Sequence, residues 1–275
     1  MTEPLPKNFA KAMSEASDRL GSFSDRLSYF SVVSSTNDVA LKMASAGADD
    51  GTTVLAMSQT SGRGRRGREW FSPTGVGLYF SSVLRGMRPK LVTLMAGVAV
   101  VDGIRTATQL PVELRWPNDI VLPSQLRNGR EKRTAKLGGI LTETSRVGEL
   151  ANAIVVGIGI NIGQIDYPLP LRLRASSLEA ETGHSVNSAS VFVESLVALA
   201  HWREVMAGSE INQIFTRWYE LSPTSHGTVV TWNRQGNHQQ GITDGLDTDG
   251  ALLVRCGHRV ERLVSGEFEW CESSF

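Results

Sequence analysis

Residues 59–70 read Gln59-Thr60-Ser61-Gly62-Arg63-Gly64-Arg65-Arg66-Gly67-Arg68-Glu69-Trp70, and the rest of the chain takes its meaning from them. Four arginines and three glycines fall within seven positions, 62–68, on a segment with almost no apolar content. Glycine lets backbone amides approach a polyanion, and arginine adds planar, bidentate, permanently charged contacts. A nucleotide triphosphate or a phosphoanhydride suits that pairing. Gly62, Gly64 and Gly67 also satisfy G-x-G-x-x-G, but the dinucleotide motif needs a helix opening at its third glycine and an acid about 20 residues later. Here Phe71-Ser72-Pro73-Thr74-Gly75 reads as a turn and Leu78 to Leu84 as a strand, so the motif fails. The P-loop spacing is absent too. Taken locally, the loop fits a solvated basic segment or a nucleic-acid contact equally well.

Charge narrows that choice. The chain of 275 residues carries 28 basic and 28 acidic side chains and a formal net charge of zero, whereas a general nucleic-acid or membrane-surface binder draws its affinity from a broad basic field. The arginines are therefore a local device. The two cysteines, Cys256 and Cys271, lack metal-ligand spacing and make no disulfide framework. Met1 to Ala10 has no apolar core of signal-peptide length, and no run is expected to reach the roughly 18 apolar residues of a membrane helix. These features predict a soluble, cytoplasmic protein without a membrane partner.

Around the loop, the pattern alternates strands and helices. Residues 1–27 hold enough apolar positions (Phe9, Met13, Leu20, Phe23, Leu27) for one short helix or a tail. Tyr29 to Val33 reads as a strand. Ser35, with Asp38 three positions on, resembles a capping box for a helix that ends near Gly47. Thr52 to Ser58 is β-rich and delivers Gln59 to the loop. Leu91, Leu94, Met95, Val98, Val101 and Ile104 mark one face of a core helix. Arg115-Trp116-Pro117-Asn118-Asp119 places Asn118 and Asp119 at a strand or turn, where Asp119 alone also reads as a turn residue. Residues 123–135, with Arg127, Asn128, Gly129, Arg130, Lys132 and Arg133, are expected to form a solvated, mobile loop. Lys136-Leu137-Gly138-Gly139-Ile140-Leu141-Thr142-Glu143 is a strand headed by a lysine, a residue that is most often a surface charge. Ala151 to Ile158 reads as a buried strand, and the alternating glycines of Gly157-Ile158-Gly159-Ile160-Asn161 suggest close backbone approach. Two amphipathic helices follow, 190–206 and 210–221. From Gly227 the pattern breaks into four short β segments with an Asp249-Gly250 hairpin turn.

Gly62 to Trp70, together with Ser35-Thr36-Asn37, the Arg115 to Asp119 block, the Lys136 to Glu143 block and Gly157-Ile158-Gly159-Ile160-Asn161, resembles the biotin protein ligases in content and order. The similarity covers residues 29–163 well and the remainder loosely. It implies an α+β fold: a class II synthetase-like mixed β-sheet with helices over residues 1–223, and a small SH3-like β-barrel over 224–275. It implies adenylation of biotin by ATP with Mg2+, then transfer to a lysine of a biotin carboxyl carrier protein or domain, by a monomer or homodimer. Under the resemblance Lys136, Arg63 and Asp119 are catalytic. Biotin contacts fall to Ser35, Thr36, Asn37, Gln59, Arg63, Gly64, Arg65, Lys136 and Gly138. ATP and adenylate contacts fall to Arg65, Arg66, Arg68, Trp70, Asn118, Asp119, Lys136 and Asn161. Gln59 could equally satisfy loop backbone, Trp70 could equally be core, and no metal ligand is assigned. Some relatives are repressors with a helix-turn-helix domain; only 28 residues precede the first strand here, so no DNA binding is expected. A lipoate or octanoate ligase on the same fold, or a binding module that uses the Arg loop on nucleic acid, are the competing readings.

Overall fold

The computed structural model describes residues 2–271 except 124, 128, 129, 133, 148, 149, 209, 235 and 267. In chain order the elements are α1 (Lys7–Glu15), β1 (Leu27–Val33), α2 (Thr36–Ser45), β2 (Thr53–Gln59), β3 (Gly77–Leu84), α3 (Pro89–Thr108), β4 (Glu113–Arg115), β5 (Asp119–Leu122), β6 (Gln125–Arg127), β7 (Arg130–Lys132), β8 (Ala135–Val147), β9 (Leu150–Asn161), α4 (Leu178–Thr182), α5 (Ser188–Ala207), α6 (Asn212–Leu221), β10 (His226–Arg234), β11 (Asn237–Leu246), β12 (Leu252–Cys256), β13 (Arg259–Leu263) and β14 (Phe268–Cys271). Seven strands form one sheet in the order β1-β2-β3-β9-β8-β5-β4. Only β1 and β2 run parallel, joined through α2; the other neighbours are antiparallel, so the sheet is mixed, as the α+β expectation required.

Strand parity assigns the two faces of this sheet. Along β3 and β9, Leu78, Phe80, Leu84, Ile154, Val156, Ile158 and Ile160 join the main core with α3 and α5, while Val83, Ala153 and Val155 pack with Ala40 and Ala44 of α2. The α2 face of β9 runs Ala153, Val155, Gly157, Gly159, Asn161. Side chains cover that face beneath α2, and then it becomes bare backbone. The sheet thus builds its own floor for a ligand.

Two expectations change, and the choice between a helix and a tail at the N-terminus is decided. Residues 7–15 form an ordered helix, with Phe9 and Met13 buried and the Phe9 ring edge-on to Phe192 of α5 at 5.7 Å, so the N-terminal segment belongs to the core. Helix α3 is, by length and composition, apolar enough to cross a membrane, contrary to the reading that no run approaches that; it is buried instead, because it packs between the sheet and α5 and α6. The 123–135 segment is not structureless: β6 and β7 pair antiparallel, with Asn128, Gly129 and Arg133 outside the described residues.

The C-terminal strands make a five-stranded antiparallel sheet in the order β13-β12-β11-β10-β14, consistent with the SH3-like expectation. Strand β14, absent from the sequence reading, completes it by pairing with β10. This sheet docks on the larger one through Trp116, whose Nε1–H donates to Gly250 O at 3.0 Å and whose ring meets Phe268 edge-on at 5.3 Å. Gly250 has φ of 80° and so close a seat on α3 that a Cβ would fall 2.7 Å from Leu94.

Candidate active site

The arginine loop is closed at its base by backbone. Trp70 N–H donates to Gly62 O at 2.8 Å and Gly64 N–H to Arg68 O at 2.7 Å, while Arg63 and Glu69 form an isolated bridge. Arg66 at the tip takes φ 58°, ψ 35°, a left-handed conformation that a non-glycine residue seldom adopts. Gln59 ties this base to the start of α2. Its Oε1 accepts from Thr36 N–H at 2.9 Å and Thr36 Oγ1 at 3.2 Å, and its Nε2 donates to Ser72 Oγ at 2.9 Å. That settles how the helix start is satisfied. Ser35 occupies the N-cap position but accepts no capping hydrogen bond, so the orphan donor of Thr36 goes to a side chain from β2.

Ser35, Thr36 and Asn37 are all buried. Asn37 is fully engaged inside the protein: its Oδ1 accepts from Ser81 Oγ at 2.6 Å, and its Nδ2 donates to Glu143 Oε2 at 2.7 Å and Leu141 O at 3.4 Å. Glu143 Oε2 also accepts from Arg63 Nη2 at 2.7 Å, and Asp38 Oδ1 lies 2.9 Å from the same nitrogen.

At the other end of the sheet face, Lys136 Nζ donates to Asp119 Oδ1 at 2.6 Å and stands 5.5 Å from the Trp70 ring centroid. Arg65 Nη1 donates to Asn118 Oδ1 at 3.0 Å. Burial pushes the Arg65 guanidinium below its ordinary range, with Arg66 adding to the shift and Asp119 opposing it. A cation that loses solvation gains most from an incoming anion. The Lys136 backbone is held from the far side: Lys136 N–H donates to Arg174 O at 2.7 Å and Ser176 N–H to Lys136 O at 3.0 Å. Asn161 Nδ2 donates to Ser176 O at 2.9 Å, so this residue also braces the 174–176 segment.

Between these two ends lies a cleft of about 770 Å³. Its floor is Gly139, Gly157 and Gly159. A Cβ on Gly159 would fall 2.5 Å from Trp70 Nε1, and one on Gly157 would fall 2.0 Å from Asn37 Oδ1. Trp70 therefore lies directly over glycine, and its Nε1 is buried with no hydrogen-bond partner among the described residues. The cleft brings together Ser35, Thr36, Asn37, Gln59, Arg63, Gly64, Arg65, Arg66, Arg68, Trp70, Asn118, Asp119, Lys136 and Asn161. Gly138 is the exception. The pairing of β5 with β8 shifts between Ile120 and Val121, which leaves Leu137 as an extra residue. That bulge breaks the two-residue alternation, so Gly139 rather than Gly138 shares the face of Lys136; a Cβ on Gly138 would meet Gly159 O at 2.9 Å within the sheet.

Sequence reasoning missed Phe268 and Trp270 of β14, which line the cleft from the C-terminal sheet; Arg115 lies over the Trp270 ring at 5.6 Å. It also missed Tyr167, whose hydroxyl donates to Ser176 O at 3.4 Å and whose pKa burial pushes up to about 12. Among the described residues no group of three or more His, Cys, Asp or Glu side chains offers a metal cage. Asp119 and Glu69 are the acidic side chains on the cleft wall.

Residues 29–161 match the Biotin/lipoate A/B protein ligase family. The chain is 32% identical over 231 residues to the biotin–[acetyl-CoA-carboxylase] ligase of Paracoccus denitrificans, spanning 80% of this chain and 90% of that protein. It is 33% identical over 250 residues to the bifunctional ligase/repressor BirA of Bacillus subtilis (strain 168), spanning 88% of this chain and 73% of that one. The structure of the biotin protein ligase from Aquifex aeolicus in complex with biotin and ATP superposes with a TM-score of 0.73 at 26% identity, covering 90% of this chain and 100% of the other. The chain belongs to this ligase family, on its biotin protein ligase branch.

Proposed function

We propose that this enzyme joins biotin to a lysine of a biotin carboxyl carrier protein or domain in two steps at one cleft. In the first, a biotin carboxylate oxygen attacks the α-phosphorus of ATP; a P–O bond forms, the α–β bridging P–O bond breaks, and pyrophosphate leaves. In the second, the carrier ε-amine attacks the acyl carbon of biotinyl-5'-adenylate, AMP leaves with the bonding electrons, and the amine sheds a proton. The observation that carries this reading is the glycine floor bounded at one end by buried Ser35 and Thr36 and at the other by Lys136, Arg65, Asn118 and Asp119.

Ser35, Thr36 and Gln59 offer donors and acceptors to the ureido ring, with Asn37 behind them and Gly64 and Gly139 giving it backbone to lie against. Two anions must meet in the first step. Lys136, with Arg63, Arg65, Arg66 and Arg68, offsets their repulsion and holds them in line, and the compact Lys136 ammonium can exchange Asp119 for the moving phosphoryl group. Trp70 and Asn161 take the adenylate end. Mg2+ would enter with the nucleotide, with Asp119 the cleft-wall carboxylate that would hold it, and it would supply neutralisation of the triphosphate charge. Residues 1–223 form the catalytic domain and 224–275 the SH3-like domain, and the enzyme acts in the cytoplasm. The test is to incubate the protein with biotin, MgATP and a biotin carboxyl carrier domain. One biotin is expected on the acceptor lysine, and none when that lysine is arginine; labelling indifferent to that change would refute the proposal.

A further inference from the structure

We infer that Glu143, which does not line the cleft, is a positioning residue that locks the biotin end of the site to the base of the arginine loop; this rests on the biotin-adenylating function proposed above. A single carboxylate oxygen, Glu143 Oε2, receives both Asn37 Nδ2 and Arg63 Nη2, each at 2.7 Å. These donors come from different parts of the chain, α2 and the loop, while Glu143 sits in β8 between them. The sheet is thereby the common reference for both.

Each side of the lock has its own logic. Asn37 is 3% exposed, and its amide is oriented by Ser81 on the oxygen side and Glu143 on the nitrogen side. Gly157 leaves room for it, since any Cβ there would overlap its Oδ1. Asn37 follows Thr36 and Ser35 in the first turn of α2, so fixing its side chain fixes the helix start that faces the ligand. On the loop side, Arg63 Nη2 is shared between Glu143 and Asp38, a pair of carboxylates around one guanidinium. Arg63 lies between Gly62 and Gly64, whose backbone closes the loop base, so its side chain is where that base meets the sheet. Charge-assisted bonds of this length are about twice as strong as neutral ones, although Arg63 and Glu143 side chains are 39% and 30% exposed and solvent weakens the pair.

Glu143→Gln and Glu143→Ala separate the two halves. The Gln amide oxygen can still accept from Asn37, while its pairing with Arg63 loses the charge; Ala removes both. In the unliganded protein, trypsin cleavage after Arg63, Arg65, Arg66 and Arg68, followed by mass spectrometry, is expected to quicken about three- to tenfold in both variants, the range of a lost, partly exposed charged bond. In adenylate formation, KM for biotin is expected to rise several-fold in Glu143→Ala and to return towards the parent value in Glu143→Gln, with KM for ATP rising less than KM for biotin in Glu143→Ala. Faster release of biotinyl-5'-adenylate is expected of both. Unaltered loop cleavage, or equal rises in the two KM values, would overturn the inference. If the parent protein forms no biotinyl-adenylate, the function reading fails, and the trypsin result still decides whether Glu143 holds the loop.

Discussion

Lys136→Ala separates chemistry from folding most cleanly. The Lys136 and Asp119 side chains are 34% and 32% exposed, so their 2.6 Å ion pair lies near solvent. Such a pair contributes about 0.5–1 kcal/mol after screening. With roughly 2–4 °C of Tm per kcal/mol in a chain of this size, melting is expected to fall by only about 1–4 °C. The backbone of Lys136 is held by Arg174 and Ser176 whatever its side chain is, which keeps the strand in place. Chemistry responds differently. Losing one preorganised cation at the reacting phosphoryl group raises the barrier by about 3 kcal/mol, or slows adenylation by roughly two orders of magnitude. Lys136→Arg should stay slow, because a planar fork cannot follow a moving group between Asp119 and the Trp70 ring as a compact ammonium does. The assay is single-turnover biotinyl-adenylate formation beside a thermal melt. Adenylation within about threefold of the parent, less than 1 kcal/mol of barrier, would remove Lys136 from the mechanism.

Arg65→Gly deletes the contact to Asn118 and is expected to loosen the loop, releasing adenylate that labels lysines on unrelated proteins; unchanged off-target labelling counts against the loop as a lid. Gly157→Ala drives a methyl into Asn37 Oδ1, where only 2.0 Å is available. Overpacking of that kind costs about 1–3 kcal/mol, so a lower Tm and a KM for biotin raised at least about tenfold are expected, and a parent-like KM would show that Asn37 is not needed in its seat. Trp116→Phe keeps the ring packing against Phe268 but drops the bond to Gly250 O. The expected loss is about 1 kcal/mol in urea unfolding, and no loss would mean that this bond does not dock the C-terminal sheet.

What the sequence made legible followed local rules. The 3.6-residue spacing from Leu91 to Ile104 specified a buried helix face, and the glycine and arginine content of 62–68 marked the loop that lines the cleft. The misses share a physical cause: they depend on register or on contacts distant in sequence. Gly138 stood among the biotin contacts through the resemblance, which carries no signal of the bulge at Leu137 that gives Gly139 the cleft face. Phe268 and Trp270 lie about a hundred residues or more from every other block and enter the cleft only because β14 pairs with β10. Glu143 looked like the polar end of a strand, since nothing local signals that one oxygen will meet both Asn37 and Arg63. The burial of α1 was visible as Phe9 and Met13, but its partner, Phe192, could not be named before the fold brought α5 alongside.

Activation of biotin by ATP at this cleft is the step on which the proposed function rests. Pyrophosphate exchange into ATP tests it directly, with purified protein run with biotin, with lipoate and with no acid. Exchange that requires biotin and stays at background with the other two is the expected result. Exchange with lipoate but not biotin, or with neither, would contradict it.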